Sequence, residues 1–274
     1  MKKSEKILNQ VKNDYNKIAE HFSQTRSAPW SEFTLFSEYI KEGQKILDLG
    51  CGNGRLFFSF LKDMNVEYYG LDNSEKLIGI AASNSKSQDT RNLPALLRPP
   101  DMLTQVMRAG KAMQAGKQIS NPPSASLRAS KFQTGEMTVL PYQDNYFDLI
   151  FCIATFHHLP TKALRLKALA EIRRVLKPGG YLLMTNWHLR HKPYLKYFFN
   201  QFSQKISWKD FFVPWKSPNG QVQCQRYYHA FSKGEIKFFF SKSGIKIEKI
   251  FLHQDPHKEN YNGRGVNVVA IGRK

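Results

Sequence analysis

The chain has 274 residues, of which 41% are hydrophobic and 13% aromatic. This apolar content is enough for a packed core and excludes an intrinsically disordered protein. Its 41 Lys and Arg residues outnumber its 22 Asp and Glu residues, and the resulting net charge of +19 favours a polyanionic partner. The longest apolar stretch, residues 149–156, is far shorter than the roughly 20 residues that span a bilayer, so no transmembrane segment is expected.

The first predicted element is an amphipathic helix within residues 1–40. Apolar side chains recur there at spacings of three and four residues, and they form one stripe of a helix that docks on another part of the fold. The stripe consists of Ile7, Val11, Tyr15, Ile18 and Phe22. We therefore expect residues 1–40 to form a helical cap on a single domain that covers residues 1–274.

Strands and helices alternate after this cap, and such alternation predicts a parallel sheet. A strand over 45–49 leads into a glycine turn and a helix, and a second strand over 67–71 leads into a helix over 74–82, capped by Asn73 or Ser74. The later predicted elements are strands over 147–153, 181–186, 245–252 and 266–272, helices over 163–176, 194–202 and 232–243, and an irregular segment over 208–225.

Residues 84–131 interrupt the alternation. They are rich in Pro, Ser, Asn and Gln and are too long for an ordinary connection, so we expect a flexible insertion. This insertion carries 8 basic and 2 acidic residues, and residues 188–274 carry 16 and 5. The uneven distribution predicts a partner surface in the basic C-terminal part, separate from the central fold, although a lysine-rich genome would also produce a basic chain.

The turn after the first strand has the sequence DLGCGNG, over residues 48–54. Glycines at such a turn allow positive φ and close approach of a ligand to backbone N–H groups. Asp72 follows at the end of the next strand, where a carboxylate can accept hydrogen bonds from both ribose hydroxyls. Asp48, before the turn, would repel a pyrophosphate and attract an ammonium group, so the expected cofactor is S-adenosyl-L-methionine rather than a nicotinamide dinucleotide.

Four segments resemble the class I S-adenosylmethionine-dependent methyltransferases: DLGCGNG, LDNS, GEMTVLPYQDNYFDLI and RVLKPGGYLLM. The resemblance implies an α/β Rossmann-like fold with a seven-stranded sheet in the order 3-2-1-4-5-7-6, the last strand antiparallel, and helices on both faces. It also implies that Gly50, Gly52 and Gly54 border the methionine moiety, that Asp72 holds the ribose and that Glu136 and Met137 flank the adenine. The implied cofactor-binding set is Asp48, Gly50, Gly52, Asn53, Gly54, Asp72, Asn73, Glu136, Met137 and Ala154.

Three further segments resemble the yeast-type tRNA wobble-uridine carboxyl methyltransferases: YNKIAEHFSQTRSAPW, FHHLPTKALRLKALAEIRRVLKPGG and QRYYHAFSKGEI. This resemblance implies a 5-carboxymethyl group on uridine 34 as the methyl acceptor, the tRNA anticodon arm as partner and, as in the eukaryotic enzymes, a small zinc-binding activator subunit. The chain departs from the family pattern by the 84–131 insertion, at Ser31, at Pro160 and Ala163-Leu164, and in the tail after Leu252.

A carboxylate acceptor is already ionised at neutral pH, so it needs a cation to hold it rather than a general base. Arg26 and Arg226 lie in the resemblance segments and suit that role, although each could instead pair with a surface acid. Of the adjacent His157 and His158, the family pattern favours His158 for substrate orientation, and packing beneath the cofactor is the alternative. The predicted catalytic residues are therefore Arg26, His158 and Arg226.

Several alternatives remain open from the sequence. Tyr227, Tyr228 and His229 could stack a flipped base or belong to the core of a strand, and Trp30 could close the cofactor pocket or pack on the first helix. A mechanism through a cysteine adduct is disfavoured because no cationic neighbourhood lowers a thiol pKa, and no metal site is expected.

The chain could also be a small-molecule methyltransferase or, less favoured, a non-catalytic RNA-binding protein. The lack of a disulfide framework and of a signal-peptide core predicts a cytoplasmic protein.

Overall fold

A seven-stranded sheet and a separate two-stranded hairpin organise the fold of the chain. The computed structural model describes residues 2–26, 28–88, 130–188, 196–199, 202–254 and 266–274. Its strands are β1 (Lys45–Leu49), β2 (Glu67–Asp72), β3 (Lys131–Thr134), β4 (Phe147–Ile153), β5 (Leu176–Trp187), β6 (Asp210–Lys216), β7 (Val222–His229), β8 (Lys246–Gln254) and β9 (Val266–Arg273). Its α-helices are α1 (Lys3–Gln24), α2 (Ser31–Thr34), α3 (Glu75–Gln88), α4 (Lys162–Val175) and α5 (Lys233–Ser243).

The strand order of the large sheet is β3-β2-β1-β4-β5-β9-β8. Strands β1 to β5 are parallel to one another, and β9 is antiparallel to both of its neighbours, β5 and β8. Because β6 and β7 form a hairpin of their own, β8 and β9 are the sixth and seventh strands of this sheet. The order is thus 3-2-1-4-5-7-6 with the last strand antiparallel, and the predicted α/β Rossmann-like fold is confirmed.

Both faces of the sheet are buried, which explains why its central strands have continuous apolar sequences. Along β1, Leu47 and Leu49 pack on one side with α4 and α5, whereas Ile46 packs on the other side with α2 and the π-helical turn Phe57–Leu61. Strand β4 alternates in the same way, since side chains of successive residues point to opposite faces. The sheet therefore presents its strand ends, rather than a face, to ligands.

Helix α1 packs against the β6–β7 hairpin. Its buried residues Ile7 and Val11 contact Phe212 and Tyr227, and Ile18 contacts Trp215 farther along the hairpin. The amphipathic stripe thus docks as the sequence predicts. The sequence predicts an irregular segment where the hairpin lies, and that prediction is wrong.

The hairpin escapes prediction because both of its faces are covered. Phe211 and Val213 pack with Tyr228, Tyr197 and Phe198 on one side, and α1 covers the other side. Burial on both sides removes the alternation of polar and apolar residues that marks an exposed strand. The segment therefore has no period in its sequence.

Other element boundaries differ from the predictions by a few residues. Helix α3 extends to Gln88, and β5 begins at Leu176, so the Lys-Pro-Gly-Gly segment lies inside a strand, with Gly179 at φ 79°. Residues 89–129 of the predicted insertion lie outside the described residues, as do 194–195 and 200–201 of the predicted helix over 194–202. Residues 196–199 form turns and Phe202–Gln204 a short 3-10 helix, so the α-helix predicted there is wrong for the described residues. Among the described helices, none has the length and hydropathy needed to cross a membrane.

Candidate active site

A cleft lies at the carboxyl ends of β1, β2 and β4. Ligands bind at this edge in open α/β sheets. The sequence-predicted residues that line it are Asp48, Gly50, Gly52, Asn53, Asp72, Asn73, Glu136, Met137, Ala154 and His158.

The glycine turn is tied to the neighbouring strand by backbone hydrogen bonds. The N–H of Gly50 donates to the Leu71 carbonyl oxygen at 2.6 Å, and the N–H of Gly52 donates to Oδ2 of Asp72 at 2.9 Å. Gly50 has φ 76°, and a Cβ built there would lie 2.2 Å from the Thr155 side chain. Only glycine fits at this position, because an L side chain would be both strained and in collision.

Asp72 is held in place by two backbone donors. Besides Gly52, the N–H of Ser74 donates to Oδ1 at 2.9 Å, and Ser74 in turn caps α3 by accepting from the N–H of Leu77. Burial raises the pKa of Asp72, and these backbone hydrogen bonds oppose the rise. The carboxylate is thus fixed at the cleft wall.

Asp48 is almost fully buried at the base of the turn, with 3% of its surface exposed. The Tyr68 hydroxyl donates to its Oδ2 at 2.7 Å. Burial nevertheless raises the pKa of Asp48 to about 7, since desolvation outweighs this single hydrogen bond. A cationic group placed in the cleft would restore the charged form.

The cleft is acidic within a basic protein. Its lining includes three carboxylates, those of Asp48, Asp72 and Glu136, and one cation, Arg55, whose guanidinium lies 4.1 Å from the centroid of the Trp30 ring. Burial lowers the pKa of Arg55 to about 9. This distribution fits the sulfonium and ammonium groups of S-adenosylmethionine and disfavours a pyrophosphate.

Glu136 and Met137 lie across the cleft from the glycine turn, beyond the end of β3. Burial raises the pKa of Glu136, and a hydrogen bond from Asn73 lowers it. Ala154 follows β4 with φ 52°, and its N–H donates to the Thr185 carbonyl oxygen at 3.0 Å. Its positive φ is a strained conformation for a residue other than glycine, and such strain is concentrated at functional sites.

Three of the predicted site residues do not line the cleft: Gly54, Arg26 and Arg226. The structure places Gly54 behind the turn, where a Cβ would lie 2.6 Å from the Phe58 ring. Its need for glycine therefore comes from aromatic packing and from its φ of 79°, not from contact with the cleft. Arg226 interacts with Tyr15, which lines the cleft, and the carbonyl oxygen of Arg26 accepts a hydrogen bond from the cleft residue Asn53 at 3.4 Å.

His158 is part of the cleft wall, and its hydrogen bonds define its tautomer. Its Nδ1 lies 2.7 Å from the carbonyl oxygen of Tyr227, which can only accept, so Nδ1 carries the proton. Its Nε2 lies 3.0 Å from the Tyr15 hydroxyl and therefore accepts from it. Burial lowers the pKa of His158 to about 3, so the ring is neutral near pH 7.

His157 is buried and does not line the cleft. Its Nδ1 accepts from the backbone N–H of Trp187 at 3.2 Å, and burial holds its pKa well below the usual range. The sequence favours His158 over His157 as the histidine that faces the reacting groups, and the structure places His158 on that side.

Arg226 is a buried cation surrounded by aromatic rings. Its guanidinium carbon lies 4.6 Å from the centroid of Trp215, 5.3 Å from that of Tyr228 and 6.0 Å from that of Trp187. Only 7% of the residue is exposed, and its Nε has no hydrogen-bond partner among the described residues. Burial lowers its pKa, but the interactions with Tyr228 and with the hydrogen-bonded Tyr15 outweigh that effect and raise it.

Within the described part of the chain, no carboxylate forms an ion pair with Arg226. The Asp14 carboxylate on α1 interacts with Arg226 electrostatically but does not form an ion pair with it. Burial raises the pKa of Asp14 to about 6, and Gln10 and Arg226 limit the rise. A buried guanidinium without a counterion carries a desolvation cost that a bound anion would offset.

Arg26 lies at the end of α1, where its Nη1 donates to the Thr25 carbonyl oxygen at 3.0 Å. Its guanidinium carbon lies 5.3 Å from the centroid of the Trp215 ring. Trp215 is also the ring closest to Arg226. The two predicted arginines therefore share one aromatic neighbour, although they are distant in sequence.

Sequence reasoning missed several residues of this site, among them Tyr15, Trp215 and the cleft cation Arg55. Tyr15 has the spacing of a core residue, and its helical stripe gives no sign that its hydroxyl reaches His158. Trp215 lies in the segment predicted to be irregular. A tryptophan two positions before a Ser-Pro-Asn-Gly turn is a signal for a hairpin end, but it does not reveal the arginine neighbours.

The structure also decides between the open alternatives for the aromatic residues. Tyr227, Tyr228 and His229 are 0%, 1% and 2% exposed, so they are core residues of β7 and cannot stack a flipped base in this conformation. Trp30 lines the cleft beside Arg55 and packs on Phe33.

Metal and thiol chemistry find no support in the described residues. No cluster of three or more His, Cys, Asp or Glu side chains there could hold a metal ion. Cys51, Cys152 and Cys224 are buried free thiols, and burial raises the pKa of Cys152 to about 12 and that of Cys224 to about 11. Their thiolates are therefore scarce near pH 7.

Comparison with known proteins gives a consistent family. A model described as a methyltransferase domain matches residues 21–248. A tRNA (carboxymethyluridine(34)-5-O)-methyltransferase from Schizosaccharomyces pombe is 28% identical over 252 residues, covering 85% of this chain and 87% of that protein. One of the same name from Arabidopsis thaliana is 32% identical over 173 residues, covering 63% of this chain but only 31% of that longer protein.

Solved structures show the same fold. A methyltransferase from Methanosarcina mazei described as SAM-dependent has a TM-score of 0.63 at 20% identity, covering 88% of this chain and 96% of that one. A complex of the Trm112 methyltransferase activator with a methyltransferase from Haloferax volcanii has a TM-score of 0.56 at 14% identity, covering 96% of each chain. With the family match, the sheet order and the acidic cleft, the chain belongs to the class I methyltransferases that use S-adenosylmethionine as cofactor.

Proposed function

We propose that this chain methylates the carboxylate of a 5-carboxymethyl-type wobble uridine, at position 34 of tRNA. The observation that carries this proposal is Arg226, a guanidinium buried among three aromatic rings behind the cleft and without an ion-pair partner among the described residues. An isolated buried charge costs several kcal/mol, about the amount that a bound carboxylate can offset through a bidentate pair.

The cofactor supplies a methyl group on a positively charged sulfur, which an acceptor oxygen takes while the carbon–sulfur electron pair returns to the sulfur. Because a carboxylate acceptor carries no proton, the reaction requires no general base. The neutral His158, with a pKa of about 3 and both ring nitrogens in hydrogen bonds, matches this requirement. The protein's task is to hold the carboxylate about 3 Å from the methyl carbon.

We assign the predicted residues to two sides of the reaction. On the cofactor side, Asp72 holds the ribose, Asp48 attracts the ammonium group, and the glycine turn, with the remaining cleft residues, contacts the methionine and adenine parts. On the acceptor side, Arg226 and Arg26 hold the carboxylate, and His158 orients the acceptor. Arg226 must become accessible for this role, because Tyr15 separates it from the cleft.

The basic C-terminal part supports a tRNA acceptor rather than a small metabolite. Residues 188–274 carry 16 basic and 5 acidic residues, and phosphate contacts with such a surface supply much of the affinity for nucleic acid. The fission yeast relative with 87% of its length covered carries the name of a tRNA carboxymethyluridine-34 methyltransferase. A small activator subunit belongs to the same proposal, since a structural neighbour is a complex with the Trm112 activator.

The decisive experiment uses tRNA from a strain that lacks this gene. The full chain, with a Trm112-type activator where the source provides one, is incubated with that tRNA and cofactor labelled in the methyl group. We expect the label in the methyl ester of 5-carboxymethyluridine, identified by mass spectrometry after digestion, and ester hydrolysis should release it as methanol. Label on a ring carbon, on another nucleoside or only in small metabolites would overturn the proposal.

Arg226→Met provides the matched variant. Replacing a buried charge that has no counterion in the described part of the chain by an apolar side chain of similar length should leave stability unchanged or raise it. The same change should abolish acceptor methylation while the affinity for the cofactor stays within about twofold, since Arg226 lies outside the cleft lining. A variant that folds, binds the cofactor and still methylates tRNA at the wild-type rate would contradict the role of Arg226.

A further inference from the structure

We propose that Tyr15 is a positioning residue for methyl transfer, and that its hydroxyl fixes the orientation and tautomer of His158 at the acceptor side of the cleft. This inference rests on the proposed function, because it assigns a residue to the acceptor side of that same site. It concerns a side chain whose sequence position indicates only core packing, in the apolar stripe of α1.

Tyr15 occupies the junction between three parts of the chain. Its ring lines the cleft from α1, and its hydroxyl lies 3.0 Å from Nε2 of His158, in the turn Phe156–His158 that follows β4. The two rings meet edge to face, with centroids 5.2 Å apart and planes at 74°. The third part is β7, which contributes Arg226 and the Tyr227 carbonyl group.

The hydrogen bonds of His158 leave one consistent arrangement of protons. The Tyr227 carbonyl accepts from Nδ1–H, so Nε2 has a lone pair and must accept from the Tyr15 hydroxyl. This is the less common tautomer of a free imidazole, in which Nε2 usually carries the proton. Both ring nitrogens are therefore occupied, and the imidazole cannot rotate without breaking two hydrogen bonds.

The groups around His158 also keep it neutral. Burial and the charge of Arg226 on β7 lower its pKa, and the Tyr227 carbonyl raises it. The neighbouring His157 and Tyr228 rings face it at 4.6 and 4.9 Å and add no charge at neutral pH. Donation from the Tyr15 hydroxyl to Nε2 further stabilises the neutral form, because with a proton on Nε2 the Tyr15 oxygen, which already accepts from Arg226, would have to accept from two cations.

Without that hydroxyl, the lone pair on Nε2 would be exposed to the cleft, and the ring could turn or take up a proton there. A cationic or misoriented imidazole would lie beside the positively charged methyl donor and would attract the acceptor carboxylate away from Arg226. Tyr15 thus keeps His158 neutral and oriented, and Arg226 remains the cation that receives the acceptor.

Tyr15→Phe tests the inference because it removes the hydroxyl and keeps the ring. The matched control is Tyr39→Phe, which removes the hydroxyl of a half-buried tyrosine near Lys249, remote from the cleft lining. With tRNA as acceptor, Tyr15→Phe should lower kcat by roughly 10- to 100-fold, as expected for misplaced reacting groups. The Kd of the cofactor in Tyr15→Phe should stay within twofold of the wild-type value. Tyr39→Phe should match the wild type in both kcat and cofactor Kd.

Two further readouts separate positioning from a structural role. In wild-type protein, long-range proton–nitrogen NMR should show His158 protonated on Nδ1 only, and Tyr15→Phe should change the Nε2 shift or the tautomer. The acid limb of the kcat profile should also move to higher pH in Tyr15→Phe, since loss of the donor raises the His158 pKa. An unchanged kcat, or an Nε2–H tautomer in the wild type, would overturn the inference.

The outcomes for the inference and for the proposed function are distinct. If wild-type protein methylates wobble uridine and Tyr15→Phe matches it, the inference fails and the function stands. If wild-type protein does not methylate tRNA, the function fails, and the NMR measurement on the chain alone still decides whether Tyr15 sets the His158 tautomer.

Discussion

Arg26 and Arg226 approach the same indole ring, that of Trp215, at 5.3 and 4.6 Å from its centroid. One arginine follows α1 and the other lies in β7, so docking of the helix on the β6–β7 hairpin is what brings the two cations together. Two guanidinium groups repel each other, and the shared aromatic neighbour offsets part of that repulsion.

Trp215→Leu should therefore weaken acceptor turnover without affecting the cofactor. A cation–π interaction with an arginine contributes roughly 0.5–2 kcal/mol, so we expect kcat/KM for tRNA to fall about 10-fold, while the Kd of S-adenosylmethionine is unchanged. Because the Trp215 ring also packs with Ile18 and Cys224, the thermal unfolding of the variant must be measured together with its turnover.

Trp208→Leu is the control, since the Trp208 ring is 57% exposed and contacts Lys209. Equal losses of turnover in both variants would contradict a specific role for Trp215.

Asp72→Ala should remove cofactor binding. The substitution eliminates the acceptor for the N–H groups of Gly52 and Ser74 and the carboxylate that faces the cleft. The two ribose hydroxyls assigned to Asp72 would each lose a charge-assisted hydrogen bond of roughly 1.5–3 kcal/mol, which predicts a cofactor Kd raised by at least 100-fold in calorimetry. Asp63→Ala, at an exposed site before β2, should bind as the wild type does. Wild-type affinity in Asp72→Ala would contradict the assignment of this cleft to the cofactor.

The sheet and the residues that line the cleft at β1 and β2 were largely predictable from the sequence because they depend on local features. A strand, a turn that requires positive φ at Gly50, and a carboxylate at the end of the next strand are all encoded within residues 45–72. Their spacing fixes their geometry, since parallel neighbouring strands place their carboxyl ends at one edge of the sheet.

The acceptor side was only partly predictable because it depends on tertiary contacts. Arg226 could be named from a resemblance, but its burial among Trp215, Tyr228 and Trp187 requires the hairpin, which has no sequence period because both of its faces are covered. The role of Tyr15 depends on a hydrogen bond to a residue 143 positions away. No pattern in α1 distinguishes it from its apolar neighbours.

Gly50 and Gly43 allow backbone strain to be separated from steric collision. Both have nearly the same φ, 76° and 77°, but a Cβ on Gly50 would lie 2.2 Å from the Thr155 side chain, whereas a Cβ on Gly43 meets nothing within 4 Å. We expect Gly43→Ala to lower the free energy of unfolding by about 1 kcal/mol, the strain alone, and Gly50→Ala by roughly 3 kcal/mol or more. Chemical denaturation measures both. Equal destabilisation would show that the turn relaxes away from Thr155.

Asp48→Asn should stabilise the protein and impair its function at the same time. The folded pKa of about 7 lies above the ordinary value of 3.8, so burial favours the protonated form. The ionised Asp48 carboxylate lowers the free energy of unfolding. This loss is absent below pH 4, grows as the pH rises from 4 to 7 and is complete above 7, where it reaches on the order of 4 kcal/mol.

The amide in Asp48→Asn can still accept from the Tyr68 hydroxyl but carries no charge at any pH. The variant should therefore match the wild type in unfolding free energy near pH 4 and exceed it at pH 8, in denaturation experiments without cofactor. Calorimetry at pH 8 should show weaker cofactor binding, because the ammonium group loses its carboxylate. In the wild type, cofactor affinity should fall as the pH drops below about 7, and a flat pH dependence of both quantities would contradict a charged Asp48 in the bound state.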